Sequence, residues 1–260
     1  MRVSELNRPG WRFLRLPFEA SFASSRSAHT KGKSPSYDDD GDMEIINGDG
    51  RFAKRPFNRE QLYLGKMRLS SDQVNAYFTR FDKPRLQQIC DSIVGRSMLL
   101  GHDRRTAPTA RFHAASIESE DGKSFASPRY YFPLNALTTP YADYIDSGVW
   151  HYVSVGFWFN YLQCDLCLGE YVSCFWCKGS EEDLCDHYLG DKYDDPDGGD
   201  DKVVCTATFR GVVEAMEGSI VYLGADEEAE IVNYLRATAT QESLQQINAL
   251  RGVRRCPTGL

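Results

Sequence analysis

Most of the cysteines in this chain lie in one short window. The sequence has 260 residues and eight cysteines, and five of them fall between positions 164 and 185, with a histidine two residues further on. The window continues into a strongly acidic stretch with few apolar residues, which could not build a core of its own. Paired thiols at Cys-x-x-Cys spacing, followed by Cys-x-His, are typical of a metal site that closes such a loop.

We predict that this window binds a structural zinc ion. The predicted ligands are Cys174, Cys177, Cys185 and His187, because they supply two thiolates from one turn and a thiolate plus an imidazole from another. The sequence offers other thiols for the same role, namely Cys164, Cys167 and Cys205. A catalytic zinc is disfavoured, since such sites usually keep an open position and use more histidine and carboxylate ligands.

Charge and hydropathy exclude several classes of protein. The formal net charge is −7 and the isoelectric point is about 5.3, whereas a general nucleic-acid binder usually carries a basic face. No apolar run is long enough to span a bilayer, and the N-terminal residues do not resemble a signal peptide. We therefore expect a soluble intracellular protein that neither inserts into membranes nor binds nucleic acid directly.

The pattern along the chain predicts one domain with two tails. Residues 1–58 are polar without a sustained hydrophobic period and are predicted to form a flexible arm. A β-rich domain is expected over residues 59–238, with the zinc-binding insertion at about 161–205, and a helix and basic tail over 239–260.

Within the domain, some elements can be predicted individually. Their spacing or composition predicts the following: a helix that starts near Asp82 and buries Leu86, Ile89, Cys90 and Ile93; strands at Val203–Val213 and Ser219–Leu223; and a helix at Asp226–Leu235.

A serine and a histidine occupy positions suited to nucleophilic catalysis. Ser154 lies between apolar residues in a predicted strand and is followed two residues later by Gly156, and His102 ends an apolar run beside Gly101. A serine hydroxyl is a poor nucleophile until an adjacent imidazole accepts its proton. The sequence therefore indicates a serine hydrolase with a His102–Ser154 pair.

The order of several motifs resembles the prohead (capsid maturation) proteases of tailed phages, which are related in fold to the herpesvirus assemblins. The resemblance covers about residues 62–231 and rests on five segments: Leu69-Ser-Ser-Asp-Gln-Val-Asn with Phe78-Thr-Arg-Phe, Gly95 to His102, Ile145-Asp-Ser-Gly, Val153-Ser-Val-Gly-Phe, and Glu217-Gly-Ser-Ile-Val. Some of these proteases also carry a similar insertion, with a Cys-x-x-Cys motif followed by Cys-x-His-x-x-Gly. In this chain, Cys185-Asp-His187-Tyr-Leu-Gly190 resembles the second of these motifs.

The resemblance implies a fold and three catalytic roles. The expected fold is a β-rich α+β domain, a closed or partly closed antiparallel β-barrel flanked by a few helices. Ser154 would be the nucleophile, His102 the general base and Glu217 the acid that orients it. Glu214 and His151 are alternatives for the third role, although His151 should point to the opposite face of the strand from Ser154.

The resemblance also implies what the protein acts on. It predicts a serine endopeptidase that processes scaffold or capsid-protein extensions, and its own tails, inside the assembling procapsid in the host cytoplasm. The expected partners are the scaffold protein, the major capsid protein and the portal, with a homo-oligomer as a further expectation. The alternative is a non-catalytic assembly protein that keeps the fold and the zinc site, since a fold alone does not determine function.

Overall fold

The computed structural model describes residues 39–48, 50–173 and 185–232. The helices in these ranges are α1 (Asp39–Asn47), α2 (Lys83–Ile93) and α3 (Thr139–Asp146). The strands are β1 (Leu62–Arg68), β2 (Ser70–Ser71), β3 (Thr79–Arg80), β4 (Ser97–Leu100), β5 (Ala110–Glu120), β6 (Lys123–Pro133), β7 (Val153–Cys164), β8 (Glu170–Ser173), β9 (Lys192–Tyr193), β10 (Val203–Val204), β11 (Ala207–Ile220) and β12 (Glu230–Val232). None of the helices in these ranges has the length and apolarity needed to cross a membrane.

One mixed sheet dominates the fold and confirms the strand-rich α+β prediction. The strands follow the order β12-β1-β6-β5-β4-β11-β7-β8, with β2 added on β6 and β3 on β11. Of the expected closed or partly closed antiparallel barrel, the closed form is wrong, because the sheet is not closed into a barrel. Among the described residues, the outermost strands β8 and β12 do not pair with each other, and an isolated bridge between Tyr152 and Glu230 joins β12 to the start of β7. Strands β3 and β4 also run parallel to β11.

Helix α2 confirms the prediction made from its apolar spacing. Leu86, Ile89, Cys90 and Ile93 are all buried in the main core. The Asp82 side chain accepts a hydrogen bond from Arg85 N at 3.1 Å, which satisfies one of the free N–H groups of the first turn. Gly95 follows the helix with a φ of +90°, a backbone conformation that glycine adopts without strain.

Two other predictions near the C-terminal end are wrong. The strands expected at Val203–Val213 and Ser219–Leu223 are mostly one long strand, β11, because β-bulges let a strand bend without ending. In the helix expected at Asp226–Leu235, residues 230–232 are instead β12. Residues 233–235 and the helix and tail expected over 239–260 lie outside the described residues. Asp226 Oδ1 accepts a hydrogen bond from Glu228 N at 3.0 Å, so the chain makes a tight turn and enters the sheet in extended form.

The predicted flexible arm is wrong for residues 39–48 and 50–58, and its residues 1–38 lie outside the described part of the chain. Helix α1 lies in this segment, and Ile46, Phe52 and Ala53 pack in a second core cluster with residues of β1 and β6. Asp42 of α1 is fully buried, and its Oδ1 lies 2.8 Å from both His113 Nε2 and an Arg129 guanidinium nitrogen. Because the helix is acidic and has few apolar residues, its sequence gave no sign that it docks through a buried ion pair.

We predict that Asp42→Ala lowers the free energy of unfolding by about 3 kcal/mol, since it leaves a buried histidine and an arginine without their carboxylate. Urea denaturation would measure the change. The control is Asp40→Ala, an exposed position on the same helix, which should change the stability little. Equal effects of the two substitutions would show that the ion pair does not hold α1.

Candidate functional site

The two faces of β7 differ in character near Ser154. Val153 is fully buried, and Phe157 packs edge-on against Phe209 with ring centroids 5.0 Å apart. Ser154 and Trp158 belong to the alternate set of residues, and Trp158 is 57% exposed. Because side chains alternate along a strand, Ser154 lies on the outer face of the sheet.

Strand β11 brings the other candidate residues to the same face. In the antiparallel pairing of β7 with β11, Ser154 is opposite Ser219, and Gly156 is opposite Glu217. On its other side, β11 pairs in parallel with β4, so that Ser219 is beside Leu99. Strand β11 therefore lies between the strand that carries Ser154 and the strand that leads to His102.

A left-handed turn places His102 over β11. Gly101 and His102 have φ values of +60° and +57°, and His102 is one of few non-glycine residues in the described chain with this conformation. The turn is held by a hydrogen bond from the His102 backbone N to Ser219 Oγ at 3.2 Å. The His102 side chain remains 41% exposed, so its ring is accessible from solvent.

His102 and Glu217 form a close pair. His102 Nδ1 lies 2.6 Å from Glu217 Oε1, and the Glu217 side chain is only 6% exposed. The Ser219 hydroxyl donates a hydrogen bond to the other carboxylate oxygen at 2.6 Å. A carboxylate on Nδ1 favours the tautomer with the proton there and leaves the Nε2 lone pair free to accept a proton.

Gly156 makes room for this carboxylate. A Cβ atom at position 156 would overlap Glu217 Oε1, so the Glu217 side chain lies flat against the backbone of β7. Any other residue at this position would push the carboxylate away from His102.

Ser219 and Gly156 are the two residues of this site that the sequence reasoning missed. The spacing contained a signal for both. Glu-x-Ser in one strand and Ser-x-Gly in the next each place two residues on one face, but the sequence did not show that the strands are neighbours.

Ser154 shares this face but is not bonded to His102. In the part of the chain that the structure describes, no hydrogen bond joins the Ser154 hydroxyl to the imidazole. Ser154 is the cross-strand neighbour of Ser219, and side chains in such pairs have Cβ atoms about 5 Å apart. His151 is engaged elsewhere, since its Nε2 lies 3.1 Å from Glu230 Oε2. The structure thus brings His102 and Glu217 into contact, and Ser154 lies on β7, the strand next to the one that carries Glu217.

A separate cluster of metal-ligating side chains lies at the far end of β7. Ligand atoms of Cys164, Cys167, Cys185 and His187 all lie within 4.8 Å of one another. His187 Nδ1 is 3.3 Å from Cys185 Sγ and 3.7 Å from Cys164 Sγ. In a tetrahedral zinc site with Zn–S bonds of about 2.3 Å, ligand atoms are about 3.5–3.8 Å apart. The cluster therefore fits a metal ion of this kind.

The local backbone shapes this cluster. Leu166 N points at Cys164 Sγ at 3.4 Å and His187 N at Cys185 Sγ at 3.2 Å. Leu168, with a φ of +61°, reverses the chain after the first knuckle. Backbone N–H groups that point at sulfur stabilise thiolates, the form that binds metal.

The four clustered residues differ from the predicted ligands in two members. Cys185 and His187 were both predicted, and the alternates Cys164 and Cys167 complete the group. Cys174 and Cys177 lie outside the described residues. The third alternate, Cys205, has its Sγ 3.8 Å from Cys164 Sγ and is fully buried, so it borders the cluster.

The thiols of the cluster differ in acidity. Burial opposes ionisation of Cys164, but hydrogen bonds from the backbone of Cys167 and Leu166 outweigh it, and the pKa of Cys164 lies below its ordinary value. Burial is the main reason that the pKa of Cys185 is raised, and it raises the pKa of Cys205 to about 12. Cys164 therefore ionises more readily than Cys185 or Cys205.

We predict that Gly156→Ala disrupts the His102–Glu217 pair by displacing the carboxylate. Nitrogen-15 NMR of histidine-labelled protein should show His102 predominantly as the Nδ1–H tautomer in the wild type and as a mixture in the variant. Trp158→Ala, the next outward residue on the same strand, is the control and should leave the His102 signal unchanged. An unaltered tautomer in Gly156→Ala would contradict this account of the glycine.

We also predict that Cys167→Ser reduces bound zinc by about one equivalent per chain, because three remaining ligands hold zinc much more weakly than four. Elemental analysis after dialysis would measure it. Cys167 is exposed, so the substitution removes no core packing. Cys90→Ala, at a buried cysteine on α2 away from the cluster, should keep the full metal content. If Cys167→Ser retained all its zinc, this cysteine would not be a ligand.

The described residues thus include a histidine–carboxylate pair and a cluster of metal-ligating side chains, at opposite ends of the same pair of strands. Comparison with known proteins gives no independent assignment for either. No family model, curated protein or solved structure matches this chain.

Proposed function

We propose that this protein is a serine endopeptidase in which Ser154 is the nucleophile, His102 the general base and Glu217 the orienting acid. The observation that supports the proposal best is the 2.6 Å contact between His102 Nδ1 and the buried Glu217 carboxylate, on the face of the sheet that also carries Ser154. A histidine held in this way has its second nitrogen available for proton transfer.

The proposed reaction uses these residues in two steps. As Ser154 Oγ attacks the peptide carbonyl, its proton moves to His102 Nε2, and Glu217 stabilises the resulting imidazolium. His102 then gives this proton to the leaving amine, and an acyl-enzyme remains on Ser154. In the second step a water molecule gives a proton to His102 and attacks the ester, and the serine regains its proton when the acid product leaves.

The Ser154–His102 hydrogen bond would form when substrate binds. Catalytic hydrogen bonds are often long or misaligned without substrate, and the partly exposed His102 ring has room to turn towards Ser154. The Glu217 carboxylate, which is buried and bonded to Ser219, would keep its position. The His102 ring would change its orientation on substrate binding.

The likeness to prohead proteases extends this proposal to a substrate. The order of His102, Ser154 and the Glu-x-Ser segment along the chain resembles that family, which includes proteins with the herpesvirus-protease fold. On this basis the substrates would be extensions of scaffold and major capsid proteins, cleaved inside a phage procapsid that also contains the portal. The open sheet is a departure from the barrel of that fold.

We also propose that the metal of the cysteine cluster is zinc and that its role is structural. Cys164, Cys167, Cys185 and His187 would occupy all four tetrahedral positions, which leaves none for water or substrate. Cys164 is ten residues beyond Ser154 on the same strand, a separation of about 30 Å in extended chain. The zinc would therefore hold the insertion together without touching the reacting groups.

A non-catalytic assembly protein is the second candidate. The observation that favours it is the absence, among the described residues, of a hydrogen bond between Ser154 and His102. In that case the His102–Glu217 pair would only brace the turn after β4.

The test is to express the wild type and Ser154→Ala together with the scaffold and capsid proteins of the same phage and to measure the intact mass of every chain. Cleavage by the wild type should fall by about 10³-fold or more in Ser154→Ala. Ser119→Ala, at an exposed serine in β5, is the control and should cleave normally. Identical masses with wild type and Ser154→Ala, when both are folded and assembled, would favour the assembly protein.

A further inference from the structure

Within the described residues, the edge of β7 beside Ser154 has backbone groups that no strand pairs with. The N–H of Val153 points away from β11 and donates to Ala229 O at 3.3 Å. The C=O of the preceding residue, Tyr152, points towards the β11 side and accepts from Val221 N. Because these directions alternate along an antiparallel strand, the N–H and C=O groups of Val155 and Phe157 also point away from β11. Strand β8 pairs with β7 only from Tyr161 onwards. In the described residues, no strand covers the edge between these points.

A pocket of about 150 Å³ is lined by this part of β7, from Val153 and Ser154 to Val155 and Phe157. Its walls come from β7, β11, the chain around β2 and β3, and the turn before β12. The lining residues that matter here are Val155, Phe157, Phe81, Phe209, Ala225 and Tyr77. A cavity of about this volume with aliphatic and aromatic walls accommodates a ring the size of benzene.

The side-chain oxygens of Asn75 and Asp226 in the pocket wall are already used within the protein. Asn75 Oδ1 accepts hydrogen bonds from the backbone N–H groups of Tyr77 and Thr79 and from the Thr79 hydroxyl. The Thr79 hydroxyl therefore already uses its proton within the protein. The carboxylate of Asp226, also in the wall, accepts from Ser71 N at 2.6 Å and from Glu228 N. With these groups engaged, the pocket offers mainly apolar surface to a ligand.

We propose that this edge binds an extended peptide and that the pocket receives one of its apolar side chains. The peptide would add a strand to β7, with hydrogen bonds to the outward backbone groups of Val155 and Phe157. Successive side chains of a strand point to opposite faces, so a residue that fills the pocket on the inner face presents its neighbours towards the outer face, where Ser154 lies. The substrates would therefore be unfolded or flexible segments with a large apolar residue next to the cleaved bond.

The cleavage part of this inference rests on the proposed function, but the binding part does not. The experiment therefore uses full-length Ser154→Ala, which cannot cleave through that serine, and measures amide hydrogen exchange by NMR. In the free protein, the amides of Val155 and Phe157 should exchange at least about tenfold faster than the amide at position 154, which is bonded to β11.

Two peptides then test the pocket. The peptide acetyl-Ala-Ala-Phe-Ala-Ala-amide should slow exchange of both edge amides, and its analogue with aspartate at the centre should bind at least about tenfold more weakly. Ala225→Leu, made in the Ser154→Ala protein, fills the pocket and should remove this preference. Ala136→Leu, at an exposed position, is the matched control and should keep it.

Slow exchange at Val155 and Phe157 in the free protein would overturn the inference, since the edge would already be covered. Equal binding of the two peptides, no binding at millimolar concentration, or an unchanged preference in Ala225→Leu would overturn it as well. Peptide binding without any cleavage by the wild type would refute the proposed function and leave this inference standing.

Discussion

The pairing of β7 with β11 is the constraint on which both clusters depend. It runs from Val153↔Ile220 at one end to Cys164↔Ala207 at the other. At the first end it sets Ser154 opposite Ser219 and Gly156 opposite Glu217. At the second end it holds Cys164 where Cys185 and His187 can reach it. A slip of one residue would turn each of these side chains to the other face of the sheet, so the apolar inner face of the two strands also fixes the chemistry of the outer one.

At the end of the ladder near Ser154, burial of the Glu217 carboxylate costs free energy. An ionised carboxylate that is almost fully removed from water is unfavourable unless hydrogen bonds replace its hydration. Here the Ser219 hydroxyl and His102 supply them, and Ser219 also accepts a hydrogen bond from the His102 backbone. One serine thereby fixes both the carboxylate and the turn that carries the imidazole. This arrangement keeps His102 Nδ1 against the carboxylate even though the ring reaches solvent.

The sequence predicted what depends on local pattern and missed what depends on long-range contacts. The apolar spacing of α2 was sufficient to identify its buried face, and Cys185 and His187 could be recognised from their spacing. The docking of α1 could not be predicted, because it depends on His113 and Arg129, which lie far along the chain from Asp42. The same holds for the open sheet, since the order of motifs that suggested a barrel carries no information about which strands pair at the edges of the sheet.

The segment that contains Cys185 and His187 leaves the β7–β11 ladder after Cys164 and returns at Ala207, two positions that face each other across that ladder. For the pairing of β7 with β11, residues 165–206 are thus a single connection, which adds β8 to the edge of β7 on its way. The free energy of closing such a loop rises only slowly with its length. The segment could therefore be lengthened, shortened or exchanged for another module during evolution, and the positions of Ser154, Glu217 and His102 would stay the same.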